Sequence, residues 1–186
     1  MIRAALNFVL AASMAWSTAA AAANSPEEAV TARVIEAASE GPAAAERIVP
    51  HSFNISAIAG FVLGPFWASA NRDEQRDFSA ALARAIARGL TRRPLAAGND
   101  VYTVTGVRRL SNGDTVVLSH LRLARGEVAN LDWRLRGSPP LIVDVSIDGR
   151  STAVSRRDDY IARLHANGGS VRALVTVLQS GAGTDP

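Results

Sequence analysis

The hydropathy period of this chain changes twice, and that change restricts the fold more than any other feature. As far as Arg93 the apolar residues recur at helical spacing. From Val101 to Ile147 they alternate, and beyond Val154 the helical spacing returns. Val128–Arg136 alternates most cleanly, with Ala129, Leu131, Trp133 and Leu135 on one side and Asn130, Asp132, Arg134 and Arg136 on the other. Val101–Val107 and Asp114–Ala124 read as the strands before it, joined by Ser111-Asn112-Gly113, which carries the Asn-Gly hairpin signal. After the turn Gly137-Ser138-Pro139-Pro140, Leu141–Ile147 reads as the last strand and ends at Asp148-Gly149. Turns this short favour an antiparallel meander. The order of elements predicts the α+β class: helices packed on one face of a curved four-stranded antiparallel sheet. A twisted sheet curls away from helices laid on it, so an apolar cavity between the layers is expected.

The helical blocks carry their own punctuation. Ser25-Pro26-Glu27-Glu28 opens the first, with a capping serine, a proline at the first position and acids at the positive dipole end. It runs to Ala38 and stops near Gly41-Pro42; residues 43–52 form a second short helical or irregular piece. Asn54–Ala70 is apolar nearly all round, the pattern of a helix buried on more than one side, and Gly64-Pro65 should bend or end it. Residues 73–93 form the clearest helix, with Phe78, Leu82, Ile86 and Leu90 every fourth residue and Asn71 with Glu74 as a capping box. Two helices, 154–166 and 170–179, close the chain.

Composition excludes several classes of function. The chain has 186 residues, 48% hydrophobic and 20% charged, so it can bury a substantial core. Its formal charge is only +3, its basic residues are all Arg, and no basic run is interleaved with aromatics; nucleic-acid binding is therefore disfavoured. There is no Cys, which removes disulfides, thiol catalysis and thiolate metal sites. Residues 1–23 read as a cleaved export signal: Arg3, an apolar Ala4–Trp16, then Ala21-Ala22-Ala23 before Asn24. Residues 24–180 then form one domain and 181–186 a loose tail. No other apolar run is long enough to span a bilayer, so an exported, soluble chain is expected.

The catalytic inventory is thin. His51, His120 and His165 stand alone, with no metal-like spacing, and there is no nucleophile elbow, phosphate loop or dinucleotide fingerprint. Asp114 and Asp132 lie on neighbouring strands, either as paired carboxylates or, more simply, solvated or matched to Arg134 and Arg136. Asp144 interrupts the apolar run Leu141–Val145. If that strand is central its carboxylate needs a partner, for which Arg156 and Arg157 are candidates; otherwise it faces solvent with Ser146. Apolar side chains exceed what a core needs: Phe61, Val62, Leu63, Phe66 and Trp67 are more than one helix face requires, and Trp133 adds a second apolar surface. An apolar ligand would account for them.

Two stretches resemble a known family. Phe53-Asn54-Ile55, Ile58-Ala59, Val62-Leu63-Gly64 and Trp67, then Glu74-Gln75-Arg76 and Phe78, make up the first. Val143-Asp144-Val145, Asp148-Gly149, Ser151, Arg157, Tyr160, Leu164 and Gly168-Gly169 make up the second. In this order they resemble the MlaC family of periplasmic lipid-binding proteins, a group that includes toluene-tolerance and hopanoid-associated (HpnM) proteins of ABC transport systems. The resemblance implies a periplasmic carrier that moves phospholipid between membrane-anchored complexes of the outer and inner membranes, with the acyl chains held between sheet and helices. The candidate apolar lining is then Ile58, Phe61, Val62, Phe66 and Trp67, with Phe78, Leu82 and Ile86 from the next helix. The strands would add Val104, Leu131, Trp133, Val143 and Val145. Arg72, Arg76 and Arg108 are headgroup candidates, and Asp144, Arg157 and Gly149 structural ones. No catalytic residue, cofactor or metal is implied, and a monomer is expected. Three alternatives stay open: a binder of hopanoid or another apolar ligand, a small α+β enzyme acting on an apolar substrate with Asp132 or His120 as base, and a non-catalytic scaffold whose apolar surface meets a protein partner.

Overall fold

Two of the helices start at capping boxes whose partners lie close by in sequence. In the computed structural model, which describes residues 25–96 and 101–181, α1 (Pro26–Glu40) starts at a reciprocal box. The Ser25 hydroxyl accepts from the Glu28 amide at 3.2 Å, and the Glu28 carboxylate accepts from the Ser25 amide at 2.6 Å. α5 (Arg72–Leu90) starts the same way through Asn71 and Glu74. Between them lie α2 (Pro42–Ser52), α3 (Ile55–Leu63) and α4 (Pro65–Ser69). The apolar stretch 54–70 breaks at Gly64-Pro65, as its composition predicts. Gly64 has φ +53°, and a Cβ there would lie 2.9 Å from the Arg157 guanidinium, so the break requires glycine. The expected leader, residues 1–23, and residues 182–186 of the tail lie outside the described residues.

The sheet is a continuous antiparallel meander of five strands, not four: β1 (Tyr102–Arg109), β2 (Thr115–Arg122), β3 (Val128–Arg136), β4 (Leu141–Ile147) and β5 (Arg150–Ser151). The additional strand comes from a two-residue turn at Asp148-Gly149, where both residues have positive φ (49° and 80°), the geometry that matches strand twist. Bulges at Thr105 in β1 and at Val143 in β4 bend the sheet. α6 (Thr152–Ala166) follows β5 directly, and α7 (Val171–Gln179) closes the fold.

Strand register sorts the side chains into two faces. Val117, Ser119 and Leu121 of β2 stand beside Trp133, Leu131 and Ala129 of β3, and this side faces the helices. The helices pack mainly on one another; they approach the sheet through α1 against β1 and β2, and through α2, α3 and α6 against β4. Among the described residues no helix is long and apolar enough to cross a membrane.

Candidate functional site

Burial changes along the helix-facing side of the sheet. At the end where β2 begins, Val117, Trp133, Leu135 and Ile142 are all at most 1% exposed, although Val107, paired with Val117 on the edge strand β1, is 45% exposed. Towards the other end the same face opens. Leu131 is 5% exposed, Ala129 9%, and Ile147, opposite Leu131 and so on the same side, 43%. Tyr102, Val104 and Val145, also on that side by register, are half-buried. Ile86 and Leu90 of α5 are half-buried too. Beyond α5 the chain is bridged to the sheet by Leu95 against Leu123, just past the end of β2. α1 closes the other flank: the Tyr102 hydroxyl donates to Thr31 Oγ1 at 2.8 Å, and Thr31 in turn donates to the Glu28 carbonyl. Burial pushes the Tyr102 phenol above its usual range, offset in part by hydrogen bonds with Thr31 and Ser119.

The aromatic residues expected to line one cavity do not converge. Phe61 is 45% exposed, with its ring beneath the Arg157 guanidinium at 5.3 Å, so it faces outward. Phe66 lies against the α6–α7 corner, edge-on to His165 at 5.5 Å and close to Gly169. Trp67 folds back on Gly60 of α3. Ile58, Val62, Phe78 and Leu82 are buried among helices, with Phe78 edge-on to Tyr160 at 6.0 Å. Trp133 is fully buried on the helix side of the sheet; it packs edge-on to Tyr102 and donates to Ser119 Oγ at 3.1 Å. Val143 is the additional residue of the β4 bulge, out of register with the lining strands. A stretch apolar on every side has no periodicity to tell which residue points where.

The charged candidates disperse as well. Arg72 and Arg76 are exposed at the start of α5, where Arg76 pairs with Asp73 at 2.8 Å. Arg108 pairs in register with Val116, on the face turned away from the helices. They form no common headgroup site. Asp144 makes no ion pair with Arg156 or Arg157. Its carboxylate accepts from the amides of Val145 (2.8 Å) and Ala153 (3.0 Å) and from the Ser151 hydroxyl (2.6 Å), and so fixes the start of α6 against β4. Arg157 instead donates to the Phe61 carbonyl at the end of α3. Gly149 lies in the β4–β5 turn with φ +80°. Asp114 does not pair with Asp132. It accepts from Arg134 Nε at 2.6 Å and from Arg136 Nε at 2.7 Å, and these bonds, Arg136 first, hold its carboxyl far below the usual carboxylate range. His120 is exposed and pairs with Thr103 and Asn130 by register, on the outer face.

Comparison with known proteins gives a consistent result. A model of the MlaC protein family matches residues 34–180. The chain belongs to the MlaC family. No curated protein sequence matches it. A solved structure with the same fold is the phospholipid-binding protein from Ralstonia solanacearum in complex with a phospholipid, at 19% identity and a TM-score of 0.63, covering 83% of this chain and 93% of that one.

In this MlaC-family chain two half-buried arginines escaped the sequence reading as site residues. Arg88 donates through Nη2 to the Leu178 carbonyl at 2.7 Å, at the negative end of α7, while its buried Nε has no partner. Arg156 donates to the Tyr160 hydroxyl at 3.2 Å and reaches towards Gly89 at the end of α5. The spacing of neither residue marks it, because each is defined by a contact between elements distant in sequence. A separate groove of about 290 Å³ lies between α1 and α2, with Ala37, Ala44 and Ile48 at its base and Arg33, Glu36, Glu40 and Arg47 around it; the sheet contributes nothing to it. Among the described residues no cluster of acids and histidines could hold a metal.

Proposed function

We propose that this chain is a periplasmic phospholipid carrier, exported by a cleaved leader, which shelters acyl chains between its helices and the open end of its sheet. The observation that carries this reading is the rise in exposure along the β3–β4 part of the helix-facing side, from at most 1% at Trp133 and Leu135 to 43% at Ile147. The lining would be Ile86, Val104, Leu131 and Val145 from the original candidates, with Tyr102, Leu121, Ala129, Ile147 and Leu90 added. Family membership supports the reading, as does the Ralstonia relative, a phospholipid-binding protein with a phospholipid bound.

The energetics explain why such a carrier is useful. Each methylene costs about 0.8 kcal/mol to expose, so two tails of roughly thirty methylenes would cost on the order of 24 kcal/mol in water. Free diffusion between membranes is then negligible. A lining as apolar as the bilayer makes uptake nearly neutral, hence reversible, and needs no nucleophile, base or metal. The protein would act as a monomer between membrane-anchored complexes, and a hopanoid cargo fits the same apolar chemistry. Native mass spectrometry of the mature protein from an envelope extract is expected to find bound phospholipid. A chain that emerges empty and takes up no fluorescent phospholipid refutes the reading.

A further inference from the structure

Arg156 is a half-buried cation with no carboxylate to balance it. It lies one turn into α6, where the chain has just left the β4–β5 hairpin at the open end of the sheet. One guanidinium nitrogen donates to the Tyr160 hydroxyl at 3.2 Å, and Tyr160 is itself buried against Phe78. The other lies 3.5 Å from where a side chain on Gly89 would begin, so the guanidinium reaches from α6 to the last turn of α5. Nearby acids are engaged elsewhere: Asp159 pairs with Arg163 at 2.9 Å, and Asp144 is turned towards the α6 amides. Asp158 is exposed and forms no ion pair with Arg156.

A partly desolvated guanidinium favours an oxyanion that it can grip with two parallel hydrogen bonds, and phosphate has that geometry. We propose that Arg156 binds the phosphate group of a lipid whose tails enter the open end of the sheet, an assignment that rests on the carrier reading above. The same chemistry would also recognise free phosphate, so the test separates the two.

The experiment compares uptake of phosphatidylglycerol and of diacylglycerol with the same tails, by the purified delipidated chain and by Arg156→Gln and Arg156→Lys. Charged hydrogen bonds of this kind predict about a tenfold preference of the unaltered chain for the phospholipid. Arg156→Gln is expected to remove that preference and leave diacylglycerol uptake unchanged, which also reports that the variant is folded. Arg156→Lys is expected to keep part of it. A preference that survives in Arg156→Gln overturns the assignment and leaves the carrier intact. Failure of the unaltered chain to take up either lipid overturns the carrier reading itself. Inorganic phosphate binding as tightly as phospholipid overturns the lipid assignment in favour of a free-phosphate site.

Discussion

Asp114 stays ionised at 1% exposure because two arginine side chains and the Asn112 amide close over it. Its neutral analogue would place an amide against those donors. Asp114→Asn is therefore expected to cost about 2 kcal/mol at pH 7, measured by urea unfolding. The pH dependence follows from the sign of the shift. The folded carboxyl titrates well below the unfolded value near 3.9, so its stabilisation is fully present above that value. It falls as the pH drops below about 4 and is gone once the folded-state carboxyl itself takes a proton. The stability gap between the unaltered chain and Asp114→Asn should narrow steadily between pH 5 and pH 2 (on the order of these limits). A gap that does not change with pH would mean that the charge contributes nothing. The pairing with Arg134 and Arg136 was partly legible in the sequence: alternation places both arginines on one face of β3 but places Asp132 there too, and only the strand register decides between them.

At the scale of elements, α6 depends on a carboxylate from another strand. Asp144→Ala removes acceptors from the Val145 and Ala153 amides and the Ser151 hydroxyl together, and is expected to cost about 2 kcal/mol. Ser151→Ala, which removes the cap on the Val154 amide and one of the donors to Asp144 but leaves the Val145 and Ala153 bonds, should cost about 1 kcal/mol. Hydrogen exchange should show the loss concentrated in the first turn of α6; uniform loss of protection would argue against a local anchor. This contact shows where sequence reading stops. The boxes at Ser25 and Asn71 were legible because both partners lie within one turn, whereas Asp144 looked like half of an ion pair because its partners are amides beyond a hairpin. Asp148-Gly149 carried the same kind of turn signal as Asn112-Gly113. The strand after it is two residues long and runs straight into a helix, which leaves no alternation to read. The candidate site was legible as an excess of apolar residues and illegible in its membership, since Phe61, Phe66 and Trp67 sit on a stretch with no polar face to orient it.

Across the whole molecule, the carrier reading requires a gap between the layers at one end of the sheet, and a small residue there tests whether it exists. Ala129 sits on the helix-facing side beside Leu121, at the open end. A phenyl ring added to a filled interior forces neighbours off their rotamers and costs about 1–3 kcal/mol; added to a gap, it fills it. Ala129→Phe is therefore expected to melt at or above the temperature of the unaltered chain while its phospholipid uptake falls sharply, because the ring occupies volume the tails would use. Ala45 of α2 is fully buried among helices and gives the contrast. Ala45→Phe should destabilise the fold by about 1–3 kcal/mol, because that interior has no spare volume. Measuring melting and uptake on the same preparations separates the alternatives. If Ala129→Phe is destabilised as much as Ala45→Phe, the open end is packed and the exposure gradient reflects only a sheet edge. If it is stable yet loads lipid normally, the tails lie elsewhere, and the α1–α2 groove becomes the next place to look. Stability kept and uptake lost is the combination that a carrier with an unfilled seam between its layers requires.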